Sequence, residues 1–283
     1  MTSDYYTRKL DEPSNSMLND FRRSPLAYLT AEDRESTGPM RFGRAFHLAL
    51  LEPEKFSHTF LVLPPGNVRS LAGKEAWVAD CCIAADVPLE ADAALPADEL
   101  RNAVATELER HGRTVLTQSD WDTLRHQVDS LNRPEHEDCR RLISACETEV
   151  EVHWEHGKLR PKAKLDLVSR EHRIGLDIKT TDDADPDEFR RSVWAYGYHY
   201  QEAMYRRAMR DGMGLTADAQ FAFILAGKRA PYHWSWARLP DWQIAEADEQ
   251  IERDLARLET CCATNVWPGR WTAEPVLLER KGR

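Results

Sequence analysis

In the stretch GLDIKTT, Asp177 and Lys179 stand two residues apart among apolar and β-branched neighbours, so a strand would put both on one face. A charged pair inside such a strand either meets water or lines a site. Asp166, in KLDLVS, holds a similar place in the preceding alternating run, and only a turn-like insert at Arg170-Glu171 separates the two. Pairing through that turn brings the two carboxylates near one another. Two carboxylates alone on a partly buried face repel, and one is driven toward its neutral form. A divalent cation removes that cost. Mg²⁺ and Mn²⁺ take hard oxygen ligands, typically one or two carboxylates completed by water and phosphate oxygens. Lys179, one pleat along, could hold the attacking water or a scissile phosphate. A cation beside a lysine is what phosphodiester hydrolysis requires: a deprotonated water, and relief of charge in the transition state.

An acid-x-Lys triplet alone says little, and the chain has a second at Glu279-Arg-Lys281, expected in a solvated tail. Context separates the two. EVEVHWEH alternates Glu149, Glu151 and His153 against Val150, Val152 and Trp154; KLRPKAKLDLVSR puts Arg160, Lys162, Lys164 and Asp166 on one face; HRIGLDIKTT follows. These three short runs predict an antiparallel meander with one apolar and one charged face. Around it, helices are expected over Met40–Leu51, Ala97–Asp129, Ser192–Met209 and Asp241–Cys262, with a short one carrying Arg140, Leu142 and Ile143. Residues Leu63–Leu95 read as loop with a short helix, and AQFAFILAG and PYHWSWARL as further strands. Capping candidates precede the apolar spacing of Met17, Leu18 and Phe21. No repeat or linker interrupts the chain, so one domain over residues 1–283 is expected.

The 283 residues carry a net charge of −10, which argues against coating nucleic acid through bulk charge. An enzyme that gathers carboxylates around a metal can be acidic and still keep a local basic track. No apolar run approaches the ~20 residues that span a bilayer, and the N-terminus lacks a signal-peptide pattern. A soluble, cytoplasmic protein is expected. The six cysteines fit neither a C-x-x-C zinc spacing nor a disulfide framework. An iron–sulfur clamp with three late cysteines is not expected either, since only Cys261 and Cys262 are late.

Together KLDLVSREHRIGLDIKTT and YGYHYQEAMY resemble the PD-(D/E)xK nuclease superfamily, most closely the RecE-type (exonuclease VIII) exonucleases of its RecB-like branch. The likeness extends over most of the chain. SNSMLNDFRRSPLAY is similar to that family's S-x-L helix, MRFGRAFHLALLEPEKF to its G-x-x-x-H helix, and VRSLAGKEAW to its R-x-x-x-G-K loop. The fold implied is α/β: a restriction-endonuclease-like core with a central mixed sheet flanked by helices, preceded by N-terminal helical elements. The resemblance makes Asp166 and Asp177 metal ligands, Lys179 the catalytic lysine, and the Ile178 carbonyl and His47 further ligands. Gln201 and Tyr205 match its Q-x-x-x-Y pattern, with a role in holding DNA or the lysine. Glu149 with Trp154 fits its E-x-x-x-x-W spacing and is a further metal candidate. Leu165 stands where the family usually has proline.

Each of these residues also has a plainer reading. His47 on an apolar helix is ordinarily a core histidine, and Gly43, one turn back, lets another element approach closely. Gln201 and Tyr205, at i and i+4, can be a packing seam. Arg160, Lys162 and Lys164 form either a phosphate track or a solvated edge, and Arg22, Arg23, Arg69 and Lys74 are candidates for DNA or 5′-phosphate contact. The run Asp182, Asp183, Asp185, Asp187 and Glu188 reads as solvated charge.

The expected activity is Mg²⁺-dependent exonucleolytic removal of one strand of linear duplex DNA, with Mn²⁺ substituting for Mg²⁺. The resemblance further implies 5′→3′ polarity, a ring-shaped homo-oligomer, and a recombination role beside a single-strand annealing protein, often of phage origin. Two alternatives remain: a structure- or sequence-specific endonuclease of the same superfamily, or a non-catalytic DNA-binding or assembly protein that keeps the fold.

Overall fold

The computed structural model describes residues 4–32, 37–216 and 218–270. The second acid-x-Lys triplet, Glu279 to Lys281, lies outside them. Helices α1 (Asn15–Arg23), α2 (Pro25–Thr30), α3 (Gly38–Leu51) and α4 (Pro53–Thr59) lead into strand β1 (Phe60–Val62). Then come α5 (Leu71–Ala85), α6 (Ala97–Arg110), β2 (Thr114–Leu116), α7 (Gln118–Ser130) and α8 (Glu137–Ser144). The second half holds β3 (Glu147–His153), β4 (Lys162–Ser169), β5 (Ile174–Thr181), α9 (Pro186–Tyr196), α10 (Tyr198–Arg207), β6 (Gln220–Gly227), β7 (Trp234–Ala237) and α11 (Asp241–Thr264). Local chemistry sets the helix starts. Ser14, Ser24 and Thr37 each accept a backbone N–H from the first turn of α1, α2 and α3, and prolines stand in the first turns of α2, α3, α4 and α9.

Five strands form one mixed sheet in the order β3-β4-β5-β6-β7, with β5 and β6 parallel and the other neighbours antiparallel. The expected meander is therefore β3-β4-β5. Its charged face is not open to water, however. On that side Phe221, Phe223 and Leu225 of β6 join residues of α1, α9, α10 and α11 in one core. On the opposite side Ala222, Ile224 and Ala226 join Phe42 and Phe46 of α3 and Leu124 of α7 in another. A strand buried on both faces reads as an unbroken apolar run, and FAFILAG, after Gln220, is one. A third, smaller cluster links Leu61 of β1 with Trp77 and Cys81 of α5 and Leu100, Val104 and Leu108 of α6. Among the described residues no helix is long and apolar enough to cross a membrane.

Three helical expectations change. The predicted helix over Ala97–Asp129 is two, because the chain turns at Gly112 (φ +73°) and Thr114–Leu116 pairs in parallel with Phe60–Val62. The predicted helix over Ser192–Met209 breaks at Gly197, whose φ of +69° ends α9 and starts α10. Residues Leu63–Leu95, read as mostly loop, carry the fifteen-residue α5, capped by the Ser70 side chain.

Helix α10 meets both the sheet and α11, and its Glu202 is 0% exposed. One carboxylate oxygen takes Arg206 Nε at 2.9 Å, while the other, Oε2, has no hydrogen-bond partner. Burial pushes this carboxyl up to about 7, against the pull of Arg206. A folded-state value above the ordinary 4.5 means that the folded chain binds the proton more tightly. Stability from this group is full below about pH 4.5 and is lost as the pH rises through about 7. Urea unfolding should show the wild type losing about 2 kcal/mol between pH 5 and 8 that Glu202→Gln does not lose. Parallel pH dependences in the two proteins would give Glu202 an ordinary carboxyl.

Candidate metal centre and lysine

The site lies where two strands part. Between β4 and β5 the ladder pairs Ser169 with Ile174, Val168 with Gly175 and Leu167 with Leu176, then stops. The next residues on each strand are Asp166 and Asp177. Beyond them the backbone of Ile178 keeps its place beside Ile224 of β6 but has no partner on β4. Buried backbone groups must be satisfied, and here side chains do it. The Ile178 N–H donates to Asp166 Oδ2 at 2.9 Å, and its carbonyl lies 2.9 Å from His47 Nε2. His47 reaches this gap from α3, on one side of the sheet, and its Nδ1 lies 3.5 Å from Asp166 Oδ2. Asp177 is 2% exposed and turns to the other side, where α10 packs. Its Oδ1 accepts Gln201 Nε2 at 2.8 Å, and its Oδ2 has Lys179 Nζ at 2.7 Å, an ion pair off the hydrogen-bond line.

Gln201 ties the site together. It donates to Asp177, stands 3.0 Å from the Tyr205 hydroxyl, and its Oε1 accepts Lys179 Nζ at 2.9 Å. The i, i+4 pair thus holds the lysine through Gln201, while the Tyr205 ring also packs against the core.

Glu149 joins from β3. The register places it opposite Asp166, between the pairs Thr148–Leu167 and Val150–Leu165, and its φ of +54° takes it out of extended geometry. His47, Glu149 and Asp166 each offer one ligand atom, and these atoms all lie within 4.8 Å of one another. One imidazole, two carboxylates and the Ile178 carbonyl make a donor set rich in hard oxygen, which suits Mg²⁺ or Mn²⁺. The residues present fit such an ion. Asp177 stands beside this group and is not one of its three close members.

Charge explains the ionisation pattern. Burial opposes a charged His47, but the Asp166 carboxylate outweighs it and pulls the imidazole up to about 9. Burial likewise opposes a charged Asp166, and His47 and Lys179 hold it below the usual carboxylate range. Burial pushes Asp177 up to about 6, even with Lys179 alongside. Burial also works against the Lys179 ammonium, yet Asp177 and its neighbours raise it, so Lys179 is a cation at neutral pH and not a base.

Several predicted contacts sit elsewhere. Lys162 is only 2% exposed and gives its Nζ to the carbonyls of Tyr5 and Thr7, so it tethers the N-terminal segment and offers nothing to a phosphate. Lys164 pairs with Glu149 at 2.7 Å and lies 3.3 Å from the Tyr6 hydroxyl. The track read across Arg160, Lys162 and Lys164 therefore does not exist as a row, because the alternation that predicts it ignores what each ammonium meets. Arg160 lies half exposed, 3.9 Å from Glu12. Arg22 is spent on Asp254 at 2.7 Å and stacks over Tyr200, while Arg23 is 67% exposed. Arg69 is exposed, and Lys74 donates to the Leu95 carbonyl. Apart from its own helix, no described atom lies within 4 Å of where a Cβ on Gly43 would be, so no other element approaches there. Tyr198, which no motif marks, also belongs to the site: its ring lies 4.4 Å from Lys179 Nζ. Its three-residue spacing from Gln201 is the signal that finds it.

Ligation needs a neutral His47, whose pKa near 9 keeps it protonated at pH 7. Mn²⁺ binding should therefore release about one proton from His47 at pH 7, and affinity should rise with pH toward 9. Calorimetry in two buffers of different ionisation heat reads this directly. His47→Ala should weaken binding by at least about 10-fold while leaving the fold intact; unchanged affinity would return His47 to the core.

Residues 14–276 match the family described as a PDDEXK-like domain of unknown function (DUF3799). The fold is similar to that of a protein from Eubacterium rectale described provisionally as an exonuclease. That likeness has a TM-score of 0.57 and 14% identity over 100% of this chain and 96% of the other, so it is one of fold. A phage-related exonuclease of Haemophilus somnus 129PT aligns at a TM-score of 0.29 and 12% identity, over 60% of this chain and 87% of that one, too distantly to carry an argument. No curated protein matches. With the family match running through almost the whole chain, and with the mixed sheet and its acid-x-Lys strand in place, the chain belongs to the PDDEXK-like DUF3799 family of the PD-(D/E)xK nuclease fold.

Proposed function

We propose that the protein is a metal-dependent deoxyribonuclease that removes one strand of linear duplex DNA from its end. The observation that carries this reading is the convergence of His47, Asp166 and the Ile178 carbonyl on one side of β5 with Asp177, Lys179 and Gln201 on the other. Asp166, Glu149 and His47 would hold the ion, with Asp177 flanking it. A bound Mg²⁺ or Mn²⁺ supplies two things there: a water of lowered pKa and charge relief at the phosphoryl oxygens.

The rest falls to this chain's own groups. Lys179, fixed by Asp177 and Gln201, presents a preorganised ammonium to a phosphate oxygen, and it requires no reorganisation as charge builds in the transition state. Gln201 sets where that ammonium stands, and Tyr205 sets Gln201. The apolar walls on both sides of the sheet keep the surroundings of low dielectric, which strengthens the effect. End-directed action, 5′→3′ polarity, a ring-shaped homo-oligomer and service to a single-strand annealing protein in recombination complete the proposal. They follow from the likeness of the whole motif order to RecE-type exonucleases.

Linear duplex DNA labelled at either end, incubated with Mg²⁺, should shorten from one end of each strand, while covalently closed circular duplex stays intact. Nicking of the circle would replace the exonuclease with an endonuclease of the same fold. Lys179→Ala should slow hydrolysis by roughly 10²–10³-fold and spare Mn²⁺ binding; a wild-type rate in that variant would remove the lysine from the chemistry.

A further inference from the structure

The corner between α9 and α10 carries a feature that hydrolysis does not use. Gly197 turns the chain there, so the last turn of one helix and the first turn of the next present their rings together. Trp194 is 52% exposed and Tyr196 is 66% exposed. Single exposed aromatics are ordinary on a soluble surface, but Tyr196 leads into the site and Trp194 stands two residues before it. Tyr196 meets Tyr198 with ring centres 5.7 Å apart, and Tyr198 is the ring beside the Lys179 ammonium. Behind it, Tyr198 stacks on Phe189 at 5.5 Å, so the inner end of this chain of rings is rigid. Trp194 is backed in the same way by His199, at 4.7 Å.

We propose that Trp194 and Tyr196 form a stacking site for unpaired nucleobases of the DNA strand whose backbone passes Lys179. The inference rests on the nuclease reading and names the substrate it takes, a strand with bases unpaired beside the scissile bond. Nucleobases offer flat π faces whatever their identity, so exposed rings grip a single strand without reading its sequence. A blunt duplex end buries those faces in its own stack and gives the rings far less to hold. Arg190 and Arg191 stand four and three residues before Trp194, on the same exposed side of α9. Their pairs with Asp187 and Glu188 are surface pairs, worth little and readily exchanged for phosphate. A tryptophan with two guanidinium groups one turn back, and a pair of tyrosines leading to a lysine, match the chemistry of a single-stranded nucleic acid better than that of an apolar protein face.

The test measures binding without turnover. Fluorescence anisotropy of a fluorescein-labelled oligothymidylate, and of a blunt duplex of equal length, is recorded with EDTA present. Trp194→Ala/Tyr196→Ala should weaken oligothymidylate binding by about ten-fold or more and duplex binding less, whereas Trp194→Phe/Tyr196→Phe should retain it. The proposal is overturned if the alanine pair, folded by circular dichroism, binds oligothymidylate as the wild type does. It is equally overturned if that pair changes only the sedimenting mass, which assigns the corner to a second copy of the chain. Mg²⁺-dependent hydrolysis by the wild type is scored separately. A protein that binds oligothymidylate through these rings and releases no nucleotide keeps the stacking site and loses the nuclease reading.

Discussion

Negative charge gathered in a partly buried gap is the constraint around which the site is built. Glu149 and Asp166 approach one another with Asp177 beside Asp166, and removing even one ionised carboxylate from water costs several kcal/mol unless it is paired. The chain meets three carboxylates with three cations: Lys164 on Glu149, His47 on Asp166 and Lys179 on Asp177. The pairing is uneven, and the unevenness is informative. Asp166 is held below the usual range and lifts His47 in turn, while Asp177 remains close to protonation even with Lys179 beside it. A protonated imidazole between Asp166 and the Ile178 carbonyl occupies the position in charge that a metal ion would take. Exchange of that proton for a divalent ion would leave the site one unit more positive, so the metal-bound form would favour an anionic substrate.

Backbone geometry makes the gap possible. Had β4 and β5 stayed paired past Leu167 and Leu176, the ladder would have consumed the N–H and carbonyl of Ile178. Because the strands part there, those two groups must be met by side chains, and they draw in Asp166 from β4 and His47 from α3. The parallel neighbour β6 holds β5 in register over its whole length, so Asp177 and Lys179 cannot follow β4 away. The gap is therefore fixed on one edge and open on the other. Helices on opposite sides of the sheet reach into it, α3 with the imidazole and α10 with the glutamine that orients the lysine.

The legible part of this arrangement was whatever alternation and spacing report. Three period-two runs gave β3, β4 and β5, and the same-face rule put Lys179 beside Asp177. The positions of His47, Gln201 and Tyr205 came from the order of motifs, since nothing in an apolar helix says that its histidine crosses to a strand. What stayed hidden depends on partners far apart in sequence. Lys162 and Lys164 look alike on paper, but one meets carbonyls of residues Tyr5 and Thr7 and the other meets Glu149. Glu149 itself leaves extended geometry, so strict alternation misjudges which way it points. The helix breaks at Gly112 and Gly197 show the same limit, because a single glycine inside a helical pattern signals a break only when the next segment has somewhere else to pack.

Lys162 and Lys164, the lysines that flank the site on β4, are already engaged and add nothing for a phosphate backbone. On the nuclease reading, each carboxylate of the gap is already matched by one cation, so the cluster by itself offers a phosphate backbone no net attraction. Lys179 adds little alone, since its charge is shared with Asp177. A bound divalent ion would do more than prepare a water: it would give the site a net positive charge and so strengthen its hold on the strand. Binding of the ion and of the strand are then coupled, each favouring the other, and by linkage the coupling is equal in both directions. That coupling gives the exposed rings at the α9–α10 corner a reason to exist. Stacking on a base is indifferent to charge, so the rings can hold a strand beside an acidic centre, while the cations that flank them, Arg190 and Arg191, pair with Asp187 and Glu188 of their own helix and not with the metal-site carboxylates.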